Sequence, residues 1–218
     1  MDWRHRFINR PGAGQLLAEA RLSALPLSLV YPCLLLVVTA LTWGNGVYIH
    51  AKALFAQLLI ADAWEKALIA DDSSTGIKPW PWADTWPVAR IRSSYLSHDL
   101  YVLAGAQGSS LAFGPGHVDG TALPGNPGTT VIAGHRDTHF NFLQQLNPGD
   151  TLEIQSRNGA WKKYLVLTVE IIDTRLTETH RINPALDELL LMTCFPFDAI
   201  DPGGPLRMVV TLSRVDRG

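Results

Sequence analysis

Hydrophobic positions follow three rhythms along this chain. No charged side chain interrupts residues 22–51, and the centre of that stretch, 25–43, is almost wholly apolar. About 20 apolar residues rising ~1.5 Å each cross a ~30 Å hydrocarbon layer, so the pattern predicts a transmembrane helix over 23–44. Pro26 and Pro32 are compatible with it, because membrane helices tolerate proline. A secretory signal peptide cut after Val38-Thr39-Ala40 is the alternative reading. Residues 47–70 change rhythm. Apolar side chains at 51, 54, 55, 58, 59 and 61 are interspersed with His50, Lys52, Gln57, Asp62, Glu65 and Lys66, the spacing of a helix. His50 and Asp62 argue against a second span, so this helix is expected to pack on the folded domain or lie near the membrane. Residues 71–76 read as a loop, and the stretch KPWPWADTWP (78–87) holds too much proline for a helix or a central strand. Its Trp80, Trp82 and Trp86 suit a structured linker packed against a domain, with an interfacial belt or a substrate-lining surface as alternatives.

From residue 88 the rhythm shortens to β-like runs at 99–106, 129–135, 150–156, 161–173, 188–194 and 206–213. Turn chemistry separates them: Arg157-Asn158-Gly159 is a hairpin signal and Asn147-Pro148-Gly149-Asp150 another break. Phe140, Leu143 and Leu146 predict one short helix. Six or more short strands with long loops and no βαβ alternation predict an all-β domain, a closed or nearly closed barrel. The chain divides accordingly into an N-terminal segment (1–22), a membrane anchor (23–44), a helix with a Trp/Pro-rich linker (45–87) and a barrel (88–218).

Composition sharpens this picture in two places. A hydrophobic content of 47% supplies an ample core, and 218 residues exceed one typical domain without reaching two. Eleven Lys and Arg against thirteen Asp and Glu from residue 88 onward provide no basic face for nucleic acid. Arg4, Arg6, Arg10 and Arg21 crowd the region before the apolar run, and only Lys52 and Lys66 follow it closely. By the positive-inside rule the N-terminus is cytoplasmic and the barrel extracytoplasmic on a single-pass anchor. Trp43 and Tyr48 then fall at the outer interface.

Three reactive side chains end or open the apolar runs. Cys194 follows LLLMT and precedes Phe195-Pro196-Phe197-Asp198, where proline stops strand pairing and leaves the sulfur at a strand tip. Its only possible intrachain partner is Cys33, inside the apolar segment, so a free thiol is expected. His135 ends the run 130–134, whose Ala133-Gly134 pair permits another group to approach closely. His98, His117, His139 and His180 compete with it on residue type alone. Arg207 opens the last run, thirteen residues after Cys194; its default reading is a solvated strand arginine. If the strands ending at 194 and starting at 206 are neighbours, Cys194 and Arg207 share one barrel end. A thiol, an imidazole and a guanidinium are what acyl transfer needs: a nucleophile, a proton carrier and a positive donor where a carbonyl oxygen gains charge.

The motifs AGHRDTHF (133–140), TCFPFDA (193–199) and GGPLR (203–207), in the order His, Cys, Arg, resemble the sortases, the membrane-anchored cysteine transpeptidases of bacteria. The resemblance covers roughly residues 86–215, and TCFPFDA is most similar to the proteobacterial branch. One departure is visible: Leu190 stands where the family often has Thr, in Thr-Leu-x-Thr-Cys. The resemblance implies a closed β-barrel with Cys194 as nucleophile, His135 as acid and base, and Arg207 as donor to the oxyanion or the substrate backbone. It also implies Thr193 in substrate binding and no cofactor or metal. The expected partners are a secreted protein with a C-terminal sorting signal and an amine acceptor of the cell envelope. Two alternatives remain: a membrane-anchored cysteine peptidase of another class, and a barrel that binds a ligand or soft metal without catalysis. A papain-like enzyme usually places Cys before His, and L,D-type transpeptidases bring the two closer in sequence than the 59 residues between His135 and Cys194.

Overall fold

A computed structural model describes residues 27–70, 76–176, 186–199 and 204–215. The N-terminal arginines, residues 71–75, His180 and Arg181 lie outside the described residues. Two compact units divide the chain, Met1–His50 and Ala51–Gly218.

Helix α1 spans Leu27–Ile69. The sequence reading placed two helices here, at 23–44 and 47–70. The structure has one, because Gly44 and Gly46 weaken a helix by only about 1 kcal/mol each and no proline stands between them. The stretch from Val30 is long and apolar enough to cross a membrane. Farther along, within the second unit, Ala56, Ile60, Ala63, Trp64 and Ala67 are buried at steps of three and four residues, one face of a helix. Small residues let this face approach the barrel. Gln57 donates to the Phe113 carbonyl at 2.7 Å, and the fully buried Trp64 indole donates to Gln155 Oε1 at 3.2 Å.

The second unit is a closed eight-stranded barrel in the order β1-β2-β3-β4-β7-β8-β6-β5. Its strands are β1 (Pro87–Arg92), β2 (Leu100–Ala104), β3 (Gly116–His117), β4 (Thr130–Ala133), β5 (Thr151–Ser156), β6 (Trp161–Asp173), β7 (Glu188–Cys194) and β8 (Leu206–Arg214). Helix α2 (Gly108–Phe113) precedes β3, and a single 3₁₀ turn, Asn141–Gln145, occupies the place of the expected short helix. The barrel and six of its strands match the sequence expectation. β1 and β3 were not anticipated. Most neighbours are antiparallel, but β4 runs parallel to β7, so the C-terminal ends of both strands reach the same rim.

Strand alternation sorts the side chains onto two faces. Ile132, Leu189, Leu191, Met208, Val210 and Leu212 enter the barrel core with Ile91, Val102 and Ile154. Val131, Leu190 and Val209 form a separate cluster on the opposite face, with Val118, Met192 and Ile172 partly buried against it. Of the linker tryptophans, Trp80 packs edge-on against Phe113 and Trp86 against the core, while Trp82 is 83% exposed.

Candidate active site

Cys194 is the last residue of β7 and is half-buried and free. Its Cα partner across the antiparallel β7–β8 ladder is Arg207. Directly opposed residues project from the same face, and this face is the outer one, continuing Leu190, Met192 and Val209. On its other side Arg207 pairs with Ile172 of β6. The neighbouring-strand geometry anticipated for Cys194 and Arg207 is therefore present. One edge of the guanidinium is fixed, since Arg207 Nη1 donates to the Gly204 carbonyl at 2.6 Å and the Leu206 carbonyl at 2.9 Å.

The parallel register of β4 and β7 pairs Ala133 with Met192. Two residues onward stand Cys194, the last residue of β7, and His135, just past the end of β4, so the parallel register carries both to the same rim. Two bonds hold that register beyond the end of β4: Gly134 N–H donates to the Met192 carbonyl at 3.1 Å, and Thr193 Oγ1 donates to the Gly134 carbonyl at 2.8 Å. Thr193, expected in substrate binding, is buried on the core side and commits its hydroxyl to the strand that carries His135.

Gly134 is required where it stands. A Cβ there would meet the Phe140 ring at 2.8 Å. Phe140 is fully buried, and its N–H donates to the His135 carbonyl at 3.0 Å. The chain thus folds back under His135 and leaves it exposed at the rim. The close approach anticipated at Ala133-Gly134 is made by this ring.

The competing histidines separate by environment. His117 is buried, and its Nε2 lies 2.9 Å from the Ala122 carbonyl and 3.0 Å from Thr121 Oγ1; it fastens its own loop. His98 contacts Ser97 Oγ. His139 lies near His135, and burial, then the charges of His135 and His98, push its imidazole below the ordinary value. Farther out, Arg175 donates two side-chain hydrogen bonds to the Asp173 carboxylate and holds it down at about 2. Among the described residues no group of three or more His, Cys, Asp or Glu is placed to hold a metal ion.

Sequence reasoning overlooked Arg136. It is 9% exposed, and its Nη2 donates to the Ala199 carbonyl at 2.6 Å. A charged residue beside an exposed histidine reads as solvated, and only the fold brings the loop after Cys194 over it.

Comparison with known proteins agrees with this architecture. A family model described as Sortase domain matches residues 91–215. Sortase D of Bacillus subtilis (strain 168) is 29% identical over 120 residues, which are 55% of this chain and 60% of that protein. The chain therefore spans about three fifths of the length of this curated relative. Among solved structures, a Clostridium perfringens Sortase D5 transpeptidase superposes with a TM-score of 0.59 at 18% identity, over 74% of this chain and 98% of that one. Sortase C-1 from Actinomyces oris gives 0.52 at 29% identity over 72% and 98%. Sortase A from Corynebacterium diphtheriae gives 0.54 at 22% over 75% and 85%. The matches below 25% identity show the fold alone.

Proposed function

Because the chain belongs to the sortase family, we propose that it is a cysteine transpeptidase whose reacting groups are Cys194, His135 and Arg207. The observation that carries this reading is the cross-strand pair of Cys194 and Arg207 at a rim that His135 also reaches. The thiolate of Cys194 attacks a peptide carbonyl carbon, and Arg207 donates to the oxygen as it gains charge. As the C–N bond breaks, His135 as imidazolium gives its proton to the departing amine. A thioester remains on Cys194. An incoming amine then attacks that thioester, His135 takes back a proton, and the new amide leaves as the thiolate is restored.

The acyl donor in this proposal is a secreted protein with a C-terminal sorting signal, and the acceptor is an amine of the cell envelope. In this proposal an extended peptide approaches Cys194 past the partly buried Met192 and Ile172, which border the buried cluster of Val131, Leu190 and Val209. The apolar stretch of α1 anchors the enzyme in the cytoplasmic membrane with its catalytic unit outside, as the arginine asymmetry of the sequence supports. The test is mass spectrometry of the full-length protein mixed with cell-envelope extract. A mass increase on Cys194 that hydroxylamine removes identifies the thioester, and a Cys194 that stays unmodified with every extract fraction and sorting-signal peptide overturns the reading.

A further inference from the structure

We propose that Arg136 is a positioning residue, a clamp that keeps the loop bearing His135 and the loop following Cys194 at a fixed separation. This inference rests on the reading of His135 and Cys194 as the reacting pair. The two loops are tied on the barrel side of that pair by Thr193 Oγ1 donating to the Gly134 carbonyl and by Gly134 N–H donating to the Met192 carbonyl. Both ties lie before His135 and before Cys194 in their strands. Arg136 supplies a tie that comes after both residues in the chain, where its Nη2 reaches the Ala199 carbonyl at 2.6 Å across 63 positions of sequence. The reacting pair is bracketed.

Both ends of this clamp are themselves built. On the histidine side, the Arg136 carbonyl accepts from Asn141 Nδ2 at 3.3 Å and the His135 carbonyl accepts from Phe140 N–H, so the backbone that carries the guanidinium is closed onto the 3₁₀ turn. On the cysteine side, Phe195 N–H donates to the Leu206 carbonyl, and Ala199 N–H closes a turn onto the Pro196 carbonyl. Ala199 is thereby a defined acceptor. Arg136 as a whole residue is buried, and a charge-assisted bond of this length is among the stronger ones a carbonyl makes. Arg136 is proposed to act through the two loops and not as a reacting group. Its effect runs through the distance and angle between imidazole and thiol, to which acyl transfer is steeply sensitive.

The experiment uses full-length protein in detergent on a Cys33→Ala background, so that Cys194 is the only thiol. The first readout needs no substrate: the rate of Cys194 alkylation by iodoacetamide as a function of pH, for wild type, His135→Ala, Arg136→Met and Arg136→Lys. Expected is a profile for Arg136→Met displaced toward that of His135→Ala. The second readout is turnover of a sorting-signal peptide. Here kcat for Arg136→Met falls roughly 10- to 100-fold while KM stays within about threefold, because peptide contacts are untouched. Arg136→Lys retains most of kcat, since a single carbonyl does not require the planar fork and an ammonium on a long stem reaches it; this variant also serves if the methionine form does not fold. Coincident alkylation profiles for wild type and both Arg136 variants, with His135→Ala distinct, overturn the clamp and leave the catalytic reading intact. A wild-type profile that already matches His135→Ala overturns both, because there is then no coupling to position.

Discussion

The barrel has two apolar regions back to back, and they differ in what they cost to disturb. The inner one draws on every strand except β3 and takes in Leu189, Leu191, Met208, Val210 and Leu212 together with the Phe140, Phe142 and Leu143 segment that folds under His135. The outer one is a cluster of three buried residues, Val131, Leu190 and Val209, on the reverse of the same strands. The outer cluster lies on the same face of β7 and β8 as Cys194 and Arg207, so the strands that hold the core on one face carry, on the other, two of the residues proposed to react. Toward the tip of β7, past the buried Leu190, stability and activity are thus expected to separate by the parity of residue number: odd positions for the core, even positions for the proposed site.

The sharpest test of that parity is at its end. Cys194→Ala is expected to abolish turnover while circular dichroism and Tm match wild type. Cys194→Ser should be very poor too, because a hydroxyl stays protonated where a thiol ionises. Cys33→Ala should be silent. Measurable peptide turnover by Cys194→Ala would end the cysteine reading. Next in size is Arg207, also on the outer face. Losing an oxyanion donor costs about 10²–10³ in rate, so Arg207→Ala and Arg207→Lys should both fall by that order with little change in Tm. A lysine variant that turns over like wild type would show the planar fork to be dispensable and return Arg207 to the role of a strand arginine.

The two neighbours Leu191 and Met192 then test the comparison within one strand. Leu191→Ala removes a fully buried core side chain and should cost about 2–5 kcal/mol in chemical denaturation, with kcat/KM preserved in the folded fraction. Met192→Ala, on the outer face, should leave the midpoint nearly unmoved and raise KM for peptide. The reverse pattern would mean that the faces have been assigned the wrong way round.

A smaller effect is expected from His139. Its imidazole titrates below the ordinary 6.5 because burial and the nearby His135 and His98 oppose its charge. In the window between that lowered value and 6.5 the unfolded chain binds more protons than the folded one, so stability is full above 6.5 and declines as pH falls through the window. His139→Asn should flatten the fall of Tm between pH 7 and pH 5, and an unchanged slope would assign that fall to other groups. Smallest of all is Arg175→Ala. The pair with Asp173 lies at the surface, so turnover and Tm should both hold, while the Asp173 carboxyl, now held at about 2, rises toward its ordinary range in an NMR titration.

Much of this was legible in the chain, and the exceptions have a common cause. The long runs that became β5, β6, β7 and β8 carry enough alternation to be read one at a time. The strand β1, PVARIR, hides behind a proline and two arginines, which are tolerated because Arg90 and Arg92 both pair with Asp99 and lie over the Trp161 ring. Strand β3 is two residues in a glycine-rich loop and exists because β2 and β4 flank it; no local pattern announces it. The trio proposed as reactive was picked out from strand ends and from family resemblance. The bonds that arrange it, Thr193 to Gly134 and Arg136 to Ala199, join residues 59 and 63 positions apart, and no spacing rule in a single sequence reports such pairs.

The parallel alignment of β4 with β7 also bears on when the proposed site is assembled. A hairpin can close within its own turn, but these strands meet only after the chain between residues 133 and 188 has been gathered in, and such long-range closure comes slowly. The thiol and the imidazole remain strangers until the barrel shuts. In a refolding experiment peptide turnover should therefore emerge together with the last cooperative step and never ahead of it.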